Sequence, residues 1–246
     1  MRNPVISAIS ATSDAADTTY PDAVLWDMDG TLVDTEPYWM EAENALVAEH
    51  GGSWTHEQAL QLVGNPLIVS AEVLQSQAGV DLPAEEIVDR LLAQVVARVR
   101  EHVPWQPGAR ELLAELAGLG VPNALVTMSW TSLARVVVEA LPAGTFAAVV
   151  TGDQVAQGKP HPEPYLTAAD RLGVDPRRCV AIEDSVTGLR SAEAAGAASL
   201  GVPHMVPLPD APGRTVLASL QGVDAARLGR LLGPATAPAG QDLAES

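Results

Sequence analysis

The sequence predicts an α/β fold, a doubly wound parallel sheet with a small α-helical block inserted after its first strand. Three observations carry this expectation. Short apolar runs of strand length recur along the chain, segments with helical spacing of apolar residues separate them, and one stretch, residues 36–103, is helical throughout without a strand. Strands that alternate with helices build βαβ units, whose crossovers cover both faces of a parallel sheet. Such sheets bind their ligands at the carboxyl ends of the strands.

The first apolar run, Ala23–Trp26, stops abruptly at Asp27, as a buried strand does when its carboxyl end lies at a site. Similar runs follow at 121–127, 147–151, 179–182 and 197–202, and helices are expected at 110–119, 131–141, 163–172 and 186–195. Within the interrupting block, 38–50, 55–62, 68–78 and 85–100 read as helices. The last is the clearest, with Ile87, Leu91, Val95 and Val99 recurring every fourth residue beside Val88, Leu92 and Val96. Gly51-Gly52 and Asp81-Leu82-Pro83 punctuate the block. Each stripe alone is what core packing requires; the block's position makes it a lid. The expected organisation is a flexible leader at 1–21, a core built from 22–35 and 104–232, a helical cap at 36–103, and a flexible tail rich in Ala, Pro and Gly at 233–246.

A chain of 246 residues, 47% of them apolar, can bury one large domain or a core with a smaller insert. No run approaches the roughly 18–20 uncharged apolar residues that cross a bilayer. The first residues lack the apolar segment of a secretory signal. A soluble, cytoplasmic protein is expected, with a monomer as the default. The net charge of −17, with Lys and Arg scattered, argues against nucleic-acid or anionic-membrane partners, which need a concentrated basic face. The single cysteine, Cys179, excludes an internal disulfide and a Cys-based zinc site, and its place in the run CVAI reads as a buried spectator.

The densest chemistry lies in LWDMDGTLVDTE, where Asp27, Asp29 and Asp34 crowd together. Their repulsion has to be offset by a bound metal, a shared proton or solvent. In an extended strand end, residues i and i+2 face one side, so Asp27 and Asp29 share a space while Met28 packs the other way. Gly30 permits the turn that follows. Two such carboxylates can divide labour as nucleophile and general acid/base; a solvated acidic turn is the plainer alternative.

Three later stretches weigh against the plainer reading. ALVTMSW ends a strand with Thr127, Met128 and Ser129, where hydroxyls and free N–H groups could receive a phosphate oxygen or simply cap the next helix. GKPHPEPY holds Lys159 among prolines, pre-organised to neutralise a phosphoryl group. VAIEDSVTG ends another strand with Glu183 and Asp184, hard oxygen ligands of the kind Mg²⁺ takes.

In this order, DMDGT, VTMS, GKPHPEPY and IEDSVTG resemble the motifs of the haloacid dehalogenase superfamily over roughly residues 23–203, in the subgroup with a helical cap after the first motif. The resemblance implies a Rossmann-like core and phosphoryl transfer. It implies that Asp27 attacks phosphorus and becomes an aspartyl phosphate, and that Asp29 protonates the leaving oxygen and then activates water. Thr127 would bind a phosphoryl oxygen, and Lys159 would pair with Asp27 and the transferring group. Mg²⁺ would be held by Asp27, the backbone carbonyl of Asp29 and Asp184, with Glu183 close by, directly or through water.

Dehalogenases of the superfamily need neither the second acid nor a metal, so Asp29 and Asp184 favour phosphoryl transfer. Within that chemistry, β-phosphoglucomutases carry a His after the first motif and an Arg in a cap loop. Here Trp39 and the stretch Asn65-Pro66-Leu67 stand in those places, while DTEPYW is similar to the opening of sugar-phosphate phosphatases. The expectation is therefore a Mg²⁺-dependent phosphatase acting on a small phosphorylated metabolite such as a sugar phosphate, with Glu36, Trp39 and Asn65 as candidate substrate lining. A phosphomutase and an inactive binding module are the alternatives. Asp34 and His204 are expected to be structural, and His161 to make a loop contact rather than a phosphate contact.

Overall fold

A computed structural model describes residues 19–232. The strands are β1 (Ala23–Trp26), β2 (Asn123–Val126), β3 (Ala148–Val150), β4 (Cys179–Glu183), β5 (Ala198–Gly201) and β6 (Arg214–Val216). They form one parallel sheet in the order β3-β2-β1-β4-β5-β6. The order runs outward from β1 on both sides, so the chain reverses its direction of travel there. Trp26 is in register with Leu125 and Ile182, which brings the ends of β1, β2 and β4 side by side at this crevice.

Between β1 and β2 lie the helices α1 (Glu36–Glu49), α2 (His56–Ala59), α3 (Leu67–Ala78) and α4 (Ala84–Glu101). A capping box formed by Thr55 and Gln58 starts α2, and Gly79, with φ +70°, ends α3. In α4, Ile87, Val88, Leu91, Leu92, Val95 and Val99 are buried, as the periodicity predicts. Acids occupy its first turn and arginines its last, the arrangement that the helix dipole favours.

The remaining helices are α5 (Ala109–Gly118), α6 (Thr131–Glu139), α7 (Glu163–Leu172), α8 (Val186–Ala195) and α9 (Ala225–Gly229). Alternation along the strands splits the core in two. Val24, Trp26, Leu125, Val180 and Ile182 cluster with residues of α5 and α6, and Ala23, Leu25, Ala124, Val126 and Ala181 with residues of α7 and α8. The second face uses Ala168, Ala192 and Ala195, small enough to let the helices come close to the sheet.

The buried Trp26 indole donates to Asn123 Oδ1 at 2.9 Å, so a polar pair inside the sheet is satisfied. Cys179 is buried, and burial, with Asp22 and Asp175 nearby, pushes its thiol up to about 12, out of reach of chemistry at neutral pH.

Two elements lie beyond those expected from the sequence. The edge strand β6 escapes an apolar-run search because Arg214 and Thr215 are only partly buried; Arg214 is instead held by Glu193 at 2.8 Å. The five-residue α9 is too short to show a period and is started by the Asp224 side chain. Most of the expected leader and all of the expected tail fall outside the described residues, although Tyr20 packs against the core. Among the described residues, no helix is long and apolar enough to cross a membrane.

Replacing Asn123 by Ala should strand the Trp26 N–H in the core and lower stability by about 1–3 kcal/mol, read as a shift in a urea unfolding midpoint.

Candidate active site

Four strand ends converge on one cavity. Beyond β1 the backbone stays extended long enough for Met28 to be fully buried while Asp27 and Asp29 both line the cavity, as the two-residue alternation predicts. Gly30 has φ +84°, and a Cβ there would lie 2.1 Å from Asp184 Oδ2. Glycine is therefore required twice at this turn, for its backbone angle and for the close approach of the β4 loop.

Lys159 is 2% exposed and anchors the deepest part of the site. Its ammonium donates to Asp27 Oδ1 at 2.6 Å, to Glu183 Oε1 at 2.6 Å and to the Val126 carbonyl at 2.9 Å. All three N–H bonds are thus engaged, which is what a buried ammonium needs to remain charged. Burial alone would lower its pKa, but Asp27 and Glu183 reverse this and raise it. Its backbone N–H meets Met128 Sδ at 3.2 Å, which ties the Lys159 loop to the end of β2.

Glu183, fully buried, also accepts from the Tyr165 hydroxyl at 2.7 Å and the Ser185 hydroxyl at 3.1 Å. Gly188, in the first turn of α8, packs directly on this carboxylate: a Cβ would fall 1.8 Å from Oε1. Ser185 serves twice, since its Oγ also caps α8 by accepting from the Gly188 N–H at 3.0 Å. Tyr165 and Ser185 were not singled out in the sequence, although both lie in the quoted motifs.

Asp29 sits among four donors. Thr35 Oγ1 at 2.5 Å and Trp39 Nε1 at 3.2 Å reach Oδ1, while Thr127 Oγ1 at 3.2 Å and Ser129 Oγ at 2.8 Å reach Oδ2. Thr127 and Ser129 do not cap the next helix. Trp130 is the N-cap of α6, and Asp153 from the following loop accepts the Thr131 N–H at 3.0 Å. The hydroxyls at the end of β2 are thereby left for the cavity. Thr35, at the N-cap of α1, likewise makes no side-chain cap and gives its hydroxyl to Asp29. Thr35 is a further residue that the sequence reading missed, masked by its resemblance to a simple helix-start threonine.

The charges do not balance. Asp27, Glu183 and Asp184 offer oxygens that all lie within 4.8 Å of one another, and among the described residues Lys159 is the one cation paired with any of them. Asp184 Oδ2 is buried without a hydrogen-bond partner among the described residues; Oδ1 has only Thr31 Oγ1 at 3.5 Å. Burial, with Asp27 and Glu183 beside it, raises the Asp184 pKa well above the carboxylate range. Burial and Glu183 push Asp27 up to about 7 against the opposing pull of Lys159. Among the described residues nothing donates to Asp27 Oδ2. An orphaned carboxylate oxygen beside a second acid with a free oxygen fits a hard divalent cation such as Mg²⁺.

The remaining residues fall into two groups. Glu36, Trp39, Asn65, Met128 and Ser129 all line the cavity. Asn65 donates its amide to the Gln61 carbonyl at 2.9 Å, so its N–H₂ supports its own loop. Burial, then Asp29 and Glu43, push Glu36 up to about 8. Outside the cavity, His204 Nε2 lies 2.7 Å from Asp34 Oδ1, and the Asp34 N–H donates to the Pro104 carbonyl at 2.7 Å, so Asp34 ties together the two ends of the helical excursion. His161 is exposed and its Nδ1 accepts from the Glu163 N–H at 3.2 Å, a loop contact.

Buried acids that repel one another cost stability and cluster where proteins do chemistry. Sheet and site together define an enzyme of the doubly wound α/β class. The profile of the haloacid dehalogenase-like hydrolases matches residues 24–202, and the chain belongs to this family. It is 33% identical over 184 residues to hexitol phosphatase B of Escherichia coli (strain K12), spanning 74% of this chain and 83% of that one. A crystal structure of a CbbY mutant from Rhodobacter sphaeroides in complex with xylulose-(1,5)bisphosphate aligns with a TM-score of 0.77 at 28% identity, over 85% of this chain and 99% of that one. A β-phosphoglucomutase from Clostridium difficile gives a TM-score of 0.77 at 20% identity over 86% and 97% of the two chains, a likeness of fold.

The raised carboxyl pKa values set a pH dependence. Unfolded, Asp27 ionises near 3.8 and Glu36 and Glu43 near 4.5; folded, they hold their protons to about 7, 8 and 7. The folded chain therefore binds more protons than the unfolded one across this window, and loses stability as pH rises through it. Without divalent metal, the thermal midpoint should fall between about pH 4 and pH 8 through these groups. Glu36→Gln should flatten the upper part of that decline.

Proposed function

We infer that the protein is a Mg²⁺-dependent phosphoric monoester hydrolase that acts on a small phosphorylated metabolite, of the sugar-phosphate kind, through an aspartyl phosphate on Asp27. The observation that carries this reading is the asymmetry of Asp27. One oxygen is locked by Lys159 and the other is left without a donor, while Asp184, whose Oδ2 is orphaned, offers an oxygen within 4.8 Å of one on Asp27.

A nucleophilic carboxylate has to be held in line with the bond to be broken and kept from rotating. Lys159 does both for Asp27, with Glu183, Tyr165 and Ser185 fixing Lys159 in turn. A carboxylate oxygen of Asp27 attacks phosphorus, the ester oxygen leaves, and Asp29 gives that oxygen its proton. Asp29 then takes a proton from the water that cleaves the aspartyl phosphate. Thr127, Ser129 and the backbone around Met128 line the side of the cavity where phosphoryl oxygens would lie. Asp27, Asp184 and the backbone carbonyl of Asp29 would hold Mg²⁺, with Glu183 behind them. When bound, the ion neutralises the excess carboxylate charge and that of the phosphoryl oxygens.

We assign residues 36–103 as a cap that closes over the core formed by 22–35 and 104–232. The cavity between them, about 60 Å³, holds only a few waters. A substrate of sugar-phosphate size would enter by parting the two. Trp39 favours hydrolysis over mutase chemistry. Its indole donates to Asp29, and the helical block offers no imidazole at that place to shuttle a proton back to a bound sugar. Four intact carboxylates beside Lys159 speak against an inactive binding module. The acidic surface fits a cytoplasmic monomer that avoids nucleic acid and membranes.

Hydrolysis of p-nitrophenyl phosphate should require Mg²⁺ and fall by roughly 10³-fold or more in Asp27→Asn. Persistence of turnover in that variant would remove Asp27 as the nucleophile. Asp184→Asn should raise the Mg²⁺ concentration needed for half-maximal rate, read by titration, while the thermal midpoint of the metal-free protein at neutral pH rises, since the cost of holding a proton on an orphaned buried acid is gone.

A further inference from the structure

The helical wall of the cavity is acidic in an unusual way. Glu36 and Glu43 stand seven residues apart on α1, two turns along one face, and both line the cavity while only 7% and 5% exposed. Among the described residues, nothing donates to the Glu36 carboxylate. Glu43 Oε2 is held by Trp54 Nε1 at 3.1 Å, which leaves Oε1 without a donor. On α3, Ser70 is 6% exposed and lines the same cavity, and its hydroxyl makes no hydrogen bond among the described residues. Polar side chains this little exposed normally find partners, and here three that line one cavity leave oxygens open to it. Among the described residues lining the cavity, Lys159 is the sole cation, and its three N–H bonds are spent on Asp27, Glu183 and Val126.

Building on the phosphatase reading above, we propose that this wall receives the leaving group of the substrate, that it selects an uncharged polyol through Glu36, Glu43 and Ser70, and that it rejects phosphates bearing a second anionic group. A hydroxylated carbon chain offers O–H donors to the free carboxylate oxygens and an acceptor to Ser70, while Met40 and Leu91 cover its C–H surface. A second phosphate or a carboxylate would meet two acids and no free cation in a poorly solvated space, where like charges repel strongly. Burial pushes Glu43 up to about 7, and burial with Asp29 pushes Glu36 up to about 8, so the repulsion of a second anion strengthens as pH rises through this range and both acids ionise.

Phosphate release with Mg²⁺ should be compared for sorbitol 6-phosphate and glucose 6-phosphate against fructose 1,6-bisphosphate and 2-phosphoglycolate. The better neutral substrate should have kcat/KM about 100-fold or more above either anionic one. Most of the gap should lie in KM, and it should narrow as ionic strength rises. Glu43→Gln, which keeps an acceptor for Trp54, should cut the ratio about 10-fold by lowering KM for the anionic pair. Turnover of the bisphosphate or phosphoglycolate within threefold of the best polyol phosphate, or a ratio that neither salt nor Glu43→Gln moves, would overturn the assignment. Absence of release from all four and from p-nitrophenyl phosphate as well would instead overturn the phosphatase reading beneath it.

Discussion

A single buried ammonium organises this molecule. Lys159 reaches in from a loop far along the chain and joins the end of β1, the end of β2 and the end of β4 through Asp27, the Val126 carbonyl and Glu183. An ammonium in such a place is tolerable only with all its hydrogens engaged, and each partner is delivered by a different strand of the sheet. The register of the three central strands is therefore a condition of the site as much as of the core. A slip of one residue would exchange Asp27 for Met28 or Trp26 and leave the lysine facing carbon.

Around this centre, the structure holds its acids by two different means. Glu183 and Asp29 are crowded with donors, four around each. Asp184 and Glu36 have almost none. Saturated carboxylates are fixed in position and charge, whereas bare ones are poised to receive something.

Much of this could be read from the chain before any coordinates. The strands at the sheet centre are buried on both faces, so they appear as unbroken apolar runs, and each ends on a polar residue that cannot be there for packing. Asp27, Thr127 and Asp184 stand out for that reason. β6 and α9 were not legible because one is half solvated and the other shorter than two turns. At the site, Tyr165 reads in sequence as an apolar position of α7, which it also is; only the fold shows its hydroxyl aimed at Glu183. Glu43 reads as a solvent-facing acid in a helix of mixed composition. Its burial depends on how α1 lies against α4 and under Trp54, and a sequence does not display that packing.

The four donors around Asp29 come from opposite sides of the cavity. Thr127 and Ser129 belong to the sheet, while Thr35 and Trp39 begin the helical excursion. Any hinge between the two halves passes through this carboxylate, so drawing them apart strips it of part of its shell and exposes it to bulk water. Parting the two sides and loosening this carboxylate are then a single event, because the same four hydrogen bonds join both.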